Sequence, residues 1–332
     1  MKKHQNVSIL GDGSWGTTLA VYLARKGYTV TLWSAFEENA REINQAKMNA
    51  KFLPGIMIPA SIVVTADIKQ ALASGSLIVL AVPSQYLASV LKGFPASACT
   101  NKTYLSVIKG IDTKNLLRMS QVITQHLGHV DLAVLSGPTI AREVAEGLPT
   151  TAVIASKEIR TAKELQKVFH SENFRIYTNT DVIGLEIGGS LKNIIAIACG
   201  VCDGLGFGTN TLAAILTRGL VEMARLGKAM GAKQKTFSGL TGLGDLVTTC
   251  VSPQSRNRFV GRELGKGKSI QQILSSMNMV AEGVETVKAV HKLRQKFDVS
   301  MPISEEVYKI IYEGKQPRKA VNDLMTRKLK SE

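Results

Sequence analysis

Residues 7–33 read VSILGDGSWGTTLAVYLARKGYTVTLW, and the way this stretch divides decides the fold. VSIL (7–10) is a short apolar run that stops at GDGSWG (11–16). TTLAVYLARKG then places apolar residues at helical spacing and ends on Gly27, where a helix C-cap belongs. YTVTLW (28–33) returns to a β-branched strand pattern. Strand, glycine-rich turn, helix and strand within about 30 residues is the context that gives a G-x-G-x-x-G match its meaning.

The three glycines have separate tasks in that context. Gly11 permits the tight turn, Gly13 lets the backbone approach a pyrophosphate, and Gly16 lets helix and strand pack closely, while the amides of the helix start attract the anion. The competing reading is an ordinary glycine-rich βα turn. Trp15 serves either as a wall beside the cofactor or as packing. The acidic residue usual at the end of the second strand is missing, since the chain continues Trp33, Ser34, Ala35. NADP is therefore permitted, although Glu37 and Glu38 shortly after could restore a preference for NAD.

Further strand patterns follow at SLIVLAVP (76–83), TYLSVI (103–108), DLAVLS (131–136), TTAVIAS (150–156) and FRIYTN (174–179). With the helical stretches between them they predict an α/β fold, a Rossmann-like doubly wound sheet over residues 1–180. Ligands gather at the carboxyl ends of such strands, so VPSQ (82–85), IKG (108–110) and SGPT (136–139) should line one crevice. Lys109 stands there, and the alternative for it is an exposed loop lysine.

From Asp181 onward strand patterns cease and residues 181–332 read as an all-helical domain, with helices over 181–203, 211–231, 282–297 and 304–314. In the first of these, SLKNIIAIACG (190–200) sets a lysine inside an apolar run. An unpaired buried ammonium is costly, so Lys192 either snorkels to water or is used for chemistry. Gly188 and Gly189 strip the face one turn earlier, which would admit a ligand or a strand edge. A purely structural helix has little reason to accept about 1 kcal/mol per glycine. SGLTGLGDL (238–246) holds Asp245, which either supports a ligand site or merely starts a helix. In SPQSRNRFVGRELG (252–265), Ser255 reads as an N-cap with Arg256 and Asn257 in the first turn, a phosphate site by its cation, amide and free N–H groups. Arg258 should face elsewhere, onto solvent.

Composition sets the outer bounds. The 332 residues are 45% hydrophobic and 20% charged, which suits two globular domains. The start MKKHQNVSILGDGS lacks an apolar signal region and no uncharged apolar run of about 18 residues occurs, so the expected location is the cytoplasm, without membrane insertion. The net charge of +15 divides as +5 for residues 1–188 (19 basic, 14 acidic) and +10 for 189–332 (22 basic, 12 acidic), which suits a phosphorylated small molecule or a polyanion. No helix-turn-helix or zinc-finger pattern supports nucleic acid. Of the four cysteines, Cys199 and Cys202 form C-x-x-C inside an apolar helical stretch and read as buried thiols rather than a redox pair. The histidines, His126 and His129 included, have no ligand cluster beside them, so no metal is expected.

Together, GDGSWGTTLA, IKGID, SGPTIAREVAEGLPT, EIGGSLKNIIAIACGVCDGLGFG, GLTGLGDLVTTCVSPQSRNR and VAEGVET, in this order, resemble the signature segments of NAD(P)-dependent glycerol-3-phosphate dehydrogenases over nearly the whole chain. The resemblance implies reversible reduction of dihydroxyacetone phosphate to sn-glycerol 3-phosphate for phospholipid backbones, with NAD or NADP, in a homodimer. It implies Lys192 as acid/base, Lys109 touching cofactor and substrate, and Asp245 supporting the lysine. It implies cofactor contacts at Gly11, Gly13, Ser14, Trp15, Gly16, Lys109, Ala141, Arg256, Val280 and Glu282. Substrate contacts are implied at Lys109, Gly137, Thr139, Lys192, Asp245, Ser255, Arg256 and Asn257. At Ser34–Ala35 the chain departs from members that carry an arginine there, which leaves the choice between NADP and NAD open. Apolar surroundings and the Lys109 ammonium would bring the Lys192 pKa toward working pH, and Asp245 would oppose them. A β-hydroxy acid dehydrogenase would use a similar lysine, but a carboxylate substrate does not require the SRNR segment. A dinucleotide-sensing or nucleic-acid-binding protein would show salt-sensitive binding and no turnover.

Overall fold

The apolar runs of the first half assemble into one eight-stranded sheet in the computed structural model, which describes residues 4–95, 101–277, 279–329 and 331. The strands are β1 (Asn6–Leu10), β2 (Thr29–Trp33), β3 (Val63–Thr65), β4 (Leu77–Leu80), β5 (Thr103–Ser106), β6 (Asp131–Ser136), β7 (Thr150–Ala155) and β8 (Phe174–Asn179). Their order is β3-β2-β1-β4-β5-β6-β7-β8, so consecutive strands step outward from β1 in one direction and from β4 in the other. That reversal between β1 and β4 is the switch point at which doubly wound sheets bind ligands. Neighbours in the strands alternate between two cores: Val7, Ile9, Leu77, Val79 and Leu105 pack on one face, and Leu10, Ile78, Leu80 and Tyr104 on the other. Burial on both faces explains why these strands read as unbroken apolar runs.

Two features depart from the sequence reading. β3 is an additional strand, only three residues long, at the sheet edge, with Val63 47% exposed. β7 runs antiparallel to β6, pairing Val134 with Ala155 and Ser136 with Val153, whereas the other pairs are parallel. The connection from 137 to 149 carries only the five-residue helix Ala141–Ala145, not a full crossover helix that would carry the chain back for a parallel strand.

The chain divides into two compact units, one of Met1–Lys109 with Leu117–Glu186 and one of Gly110–Leu116 with Ile187–Glu332. The second is helical. Its main helices are Val182–Gly204, which begins in the first unit, then Thr209–Ala229, Asp245–Val251, Arg256–Gly265, Glu282–Lys296 and Pro302–Tyr312. Val182–Gly204 is long and apolar enough to cross a membrane by length and composition, yet 94% of its most apolar window is buried within the structure. It lies in near backbone contact with Arg256–Gly265. A Cβ on Gly200 would stand 2.1 Å from Arg258 O, and one on Gly261 would stand 2.0 Å from Ile197 O. Arg258 is not solvated surface. Its Nε donates to Asp203 Oδ2 at 2.6 Å, which fastens the same two helices, and its Nη1 donates to Val251 O at 2.7 Å, which ties in the end of the helix Asp245–Val251.

Cys199, Cys202 and Cys250 are free thiols buried in this unit; Cys99 lies outside the described residues. A hydrogen bond to Cys250, then burial, pushes the Cys199 thiol far up, and burial pushes Cys202 up to about 12. Thiolate is the reactive form, so these groups are inert while the protein is folded. In a Cys99→Ser variant at pH 8, a disulfide reagent should therefore release less than about 0.2 equivalents from the native protein. All three thiols should react once it is unfolded, and fast native labelling would show that the helix pair opens.

Candidate active site

At the switch point the backbone of the glycine-rich turn is crowded on one side and open on the other. Gly11 has φ +121°, and a Cβ there would meet Ala81 O at 2.7 Å, while a Cβ on Gly16 would stand 1.9 Å from Gly11 O. A Cβ on Gly13 would meet nothing within 4 Å. Gly13 is also the N-cap of the helix Ser14–Arg25, which starts without a side-chain cap. Amides without a side-chain cap, beside a glycine whose Cβ position is empty, suit the close approach of a dinucleotide pyrophosphate.

A segment the sequence reading passed over braces this turn. Asn49 donates to Asp12 O at 2.7 Å and to Thr17 Oγ1 at 2.9 Å, and accepts from Phe52 N at 3.1 Å, while Ser14 Oγ donates to Phe52 O. The available signal was a polar Asn49 set between Met48 and Ala50 in the run MNAKFLPG (48–55). Trp15 packs on the core of one sheet face with its indole N–H buried and without a hydrogen-bond partner among the described residues. Ala141, at the start of its short helix, accepts from Thr18 Oγ1 at 3.0 Å, which holds it against the helix of the glycine turn.

Lys109 follows β5 and is half-buried, not an exposed loop lysine. Its Nζ donates to Gly137 O at 2.9 Å and lies 3.5 Å from Thr139 Oγ1, so the segments after β5 and β6 are joined through one ammonium. Gly137 has φ +144°, and a Cβ there would press on Ala152 of β7 at 3.0 Å.

In the helical unit, Lys192 does not snorkel. It is 6% exposed, with its Nζ 2.6 Å from Asp245 Oδ1 and 2.6 Å from Thr249 Oγ1. Asp245 is 1% exposed and starts the helix Asp245–Val251, directly after a π-helical turn over Leu240–Gly244. Thr249, one turn later, donates to Asp245 O at 2.7 Å; the sequence reading missed it. Gly188 is bare for a different reason from the one expected: a Cβ there would meet Thr241 O at 3.0 Å, so the π turn occupies the space assigned to a ligand or strand edge. That turn brings Asp245 to the lysine.

Ser255 caps the helix Arg256–Gly265 by accepting from Arg258 N at 3.2 Å. Arg256 Nη1 donates to Val280 O at 2.7 Å, and Glu282, the first residue of its helix, acts on Arg256 as a nearby negative charge. Asn257 donates to Asn193 Oδ1 at 2.9 Å and accepts from Gly283 N at 2.9 Å. Asn193, another residue the sequence reading missed, follows Lys192 directly and so links the lysine to the Ser255–Asn257 group. Part of the positive charge in this half is paired: Arg258 with Asp203, Lys266 and Lys268 with Glu263, and Lys315 with Glu306 and Asp323. Among the described residues no three His, Cys, Asp or Glu side chains are placed to hold a metal ion.

Dinucleotide-dependent dehydrogenases are the class that this sheet order, this glycine turn and this buried lysine–carboxylate pair define. Comparison with known proteins narrows the class. Residues 6–162 match the N-terminal part of the NAD-dependent glycerol-3-phosphate dehydrogenases and residues 181–322 the C-terminal part. A glycerol-3-phosphate dehydrogenase [NAD(P)+] of Chlorobium phaeobacteroides is 49% identical over 98% of either chain, and one of Pelotomaculum thermopropionicum is 48% identical over 97% of this chain and 93% of its own. The crystal structure of the Coxiella burnetii glycerol-3-phosphate dehydrogenase superposes with a TM-score of 0.92 at 39% identity, covering 97% of this chain and 98% of that one. The chain belongs to the NAD(P)-dependent glycerol-3-phosphate dehydrogenase family, and is an oxidoreductase that uses NAD or NADP.

Proposed function

We propose that the chain interconverts dihydroxyacetone phosphate and sn-glycerol 3-phosphate, with Lys192 exchanging the proton at the substrate oxygen. The observation that carries this reading is the buried Lys192–Asp245 pair, 2.6 Å apart, on the first long helix of the helical unit. When bound, the nicotinamide supplies the hydride. In reduction, charge develops on the ketone oxygen, and Lys192 donates a proton to it; in oxidation the neutral amine takes that proton back. Asp245 and Thr249 aim the amine, and Asp245 offsets the cost of burying its charge.

In the same reading residues 1–180 bind the cofactor and 181–332 the substrate. Gly11, Gly13, Ser14, Trp15, Gly16 and Ala141 hold the dinucleotide, and Lys109, Gly137 and Thr139 serve both ligands. The phosphate of the substrate is taken by Ser255, Arg256 and Asn257, with Arg256, Val280 and Glu282 also meeting the cofactor. The product feeds phospholipid backbones in the cytoplasm, from a homodimer.

The test is oxidation of NADH and NADPH with dihydroxyacetone phosphate set against unphosphorylated dihydroxyacetone. Equal use of both ketones would end the reading. Arg256→Ala should raise KM for the phosphorylated ketone roughly 10- to 150-fold, the loss of charge-assisted bonds of about 1.5–3 kcal/mol, and should raise KM for dihydroxyacetone, which has no phosphate to lose, far less. An unchanged KM would place the phosphate elsewhere.

A further inference from the structure

In this fold the adenosine ribose is read at the carboxyl end of β2, where an acidic side chain accepts from its hydroxyls and repels a 2′-phosphate. Here that position is Ser34, directly after Trp33, and it is fully buried. Its hydroxyl does not face solvent. It donates to Asp12 Oδ2 at 2.8 Å, and Asn39 Nδ2 approaches the same oxygen at 3.4 Å.

Asp12 comes from the glycine-rich turn itself, between Gly11 and Gly13. Thr17 and Asn49 hold its backbone carbonyl at 2.9 and 2.7 Å, so the residue is fixed at main chain and side chain alike. Both side-chain donors converge on Oδ2. Oδ1 accepts nothing from the described residues, and the residue keeps 8% exposure. A carboxylate thus stands at the end of β2 although the strand supplies none. No cation accompanies it in the chain that follows: Ala35 and Phe36 precede Glu37 and Glu38, which lie exposed in the first turn of the next helix. Arg41, a turn later, lines a groove that also holds Glu37 and Asp67.

We infer that Asp12 takes the place of the missing strand-end acid, accepting a ribose hydroxyl through Oδ1 and selecting NADH over NADPH. The inference rests on the dinucleotide site proposed at the glycine turn and assigns its specificity. A 2′-phosphate would meet a fixed negative charge with Glu37 and Glu38 behind it. An unphosphorylated ribose would meet an acceptor already held in place.

Reduction of dihydroxyacetone phosphate by the full chain, measured with NADH and NADPH for the wild type, Asp12→Asn and Ser34→Ala, tests this. Wild type should favour NADH at least about 10-fold in kcat/KM, and Asp12→Asn should cut that ratio about 10-fold, mainly through KM for the nucleotide. Ser34→Ala keeps the carboxylate and should hold the ratio within about 3-fold. In competition, 5′-AMP should inhibit wild type better than adenosine 2′,5′-bisphosphate, with the order levelled in Asp12→Asn. Preference for NADPH in the wild type, or an unchanged ratio in a folded Asp12→Asn protein, would overturn the inference. Equal collapse of the ratio in Ser34→Ala would also overturn it, because Asp12 would then be only a brace. Turnover with neither nucleotide would instead sink the dinucleotide site on which the inference stands.

Discussion

Lys192→Ala is expected to lower kcat by about 10²- to 10⁴-fold, the range for loss of a positioned general acid/base, while the dissociation constant for NADH changes less than about 3-fold. The nucleotide contacts proposed here lie mainly on the glycine turn and Ala141, so binding and chemistry separate. The substitution also strands the Asp245 carboxylate, 1% exposed, without its cation, and breaking a buried pair on one side costs about 3–5 kcal/mol. A loss of activity could then be a loss of folding. The double variant Lys192→Ala, Asp245→Asn removes both charges and should recover much of the melting temperature without recovering turnover. Near-normal kcat in the single variant would refute the role, whatever its stability.

The sheet was legible because burial on both faces leaves a plain mark. LIVL over Leu77–Leu80 and TTAVIA over Thr150–Ala155 carry no polar alternation, and each became a strand. β3 was not legible: three residues at an edge, with Val63 half exposed, make too short a pattern to rise above a loop. The reversal at β7 was hidden as well, since apolar content tells that a strand is buried and says nothing of its direction.

The site divides in the same way between local and distant information. Ser255 as N-cap and the helix end at Gly265 are local, and the spacing predicts both. Gly11 and Gly16 are local too, since each shapes one turn. Partners far along the chain were out of reach: Asp245 lies 53 residues from Lys192, Asp203 lies 55 from Arg258, and Asn193 meets Asn257 across 64. Arg258 shows the cost of spacing alone, for its angle from Arg256 predicts solvent and it instead pairs with Asp203 on the neighbouring helix. One distant contact did have a signal. Gly200 and Gly204 on one helix and Gly261 and Gly265 on another repeat at four-residue spacing, the pattern by which two backbones can approach along one face.

Asp245→Asn is expected to alter the pH dependence of the reaction as well as its rate. A carboxylate 2.6 Å from Lys192 favours the ammonium form. With an amide in its place that stabilisation of the ammonium is lost, and the amine releases its proton at lower pH. Reduction needs the ammonium, so the basic limb of its kcat/KM profile should move to lower pH. Oxidation needs the neutral amine, so its acidic limb should move the same way, and oxidation near neutral pH should lose less than reduction does. Stability should fall by about 3–5 kcal/mol at pH values where the wild-type pair is charged, because the buried ammonium loses its counterion. At higher pH, once the variant's amine is neutral, part of that loss should return. Profiles in both directions, recorded beside melting curves over the same pH range, separate this account from simple misplacement of the lysine, which would lower both limbs without shifting either. Limbs that stay within about 0.3 pH units of wild type, in a folded variant, would remove Asp245 from the proton chemistry and leave it as a structural counterion.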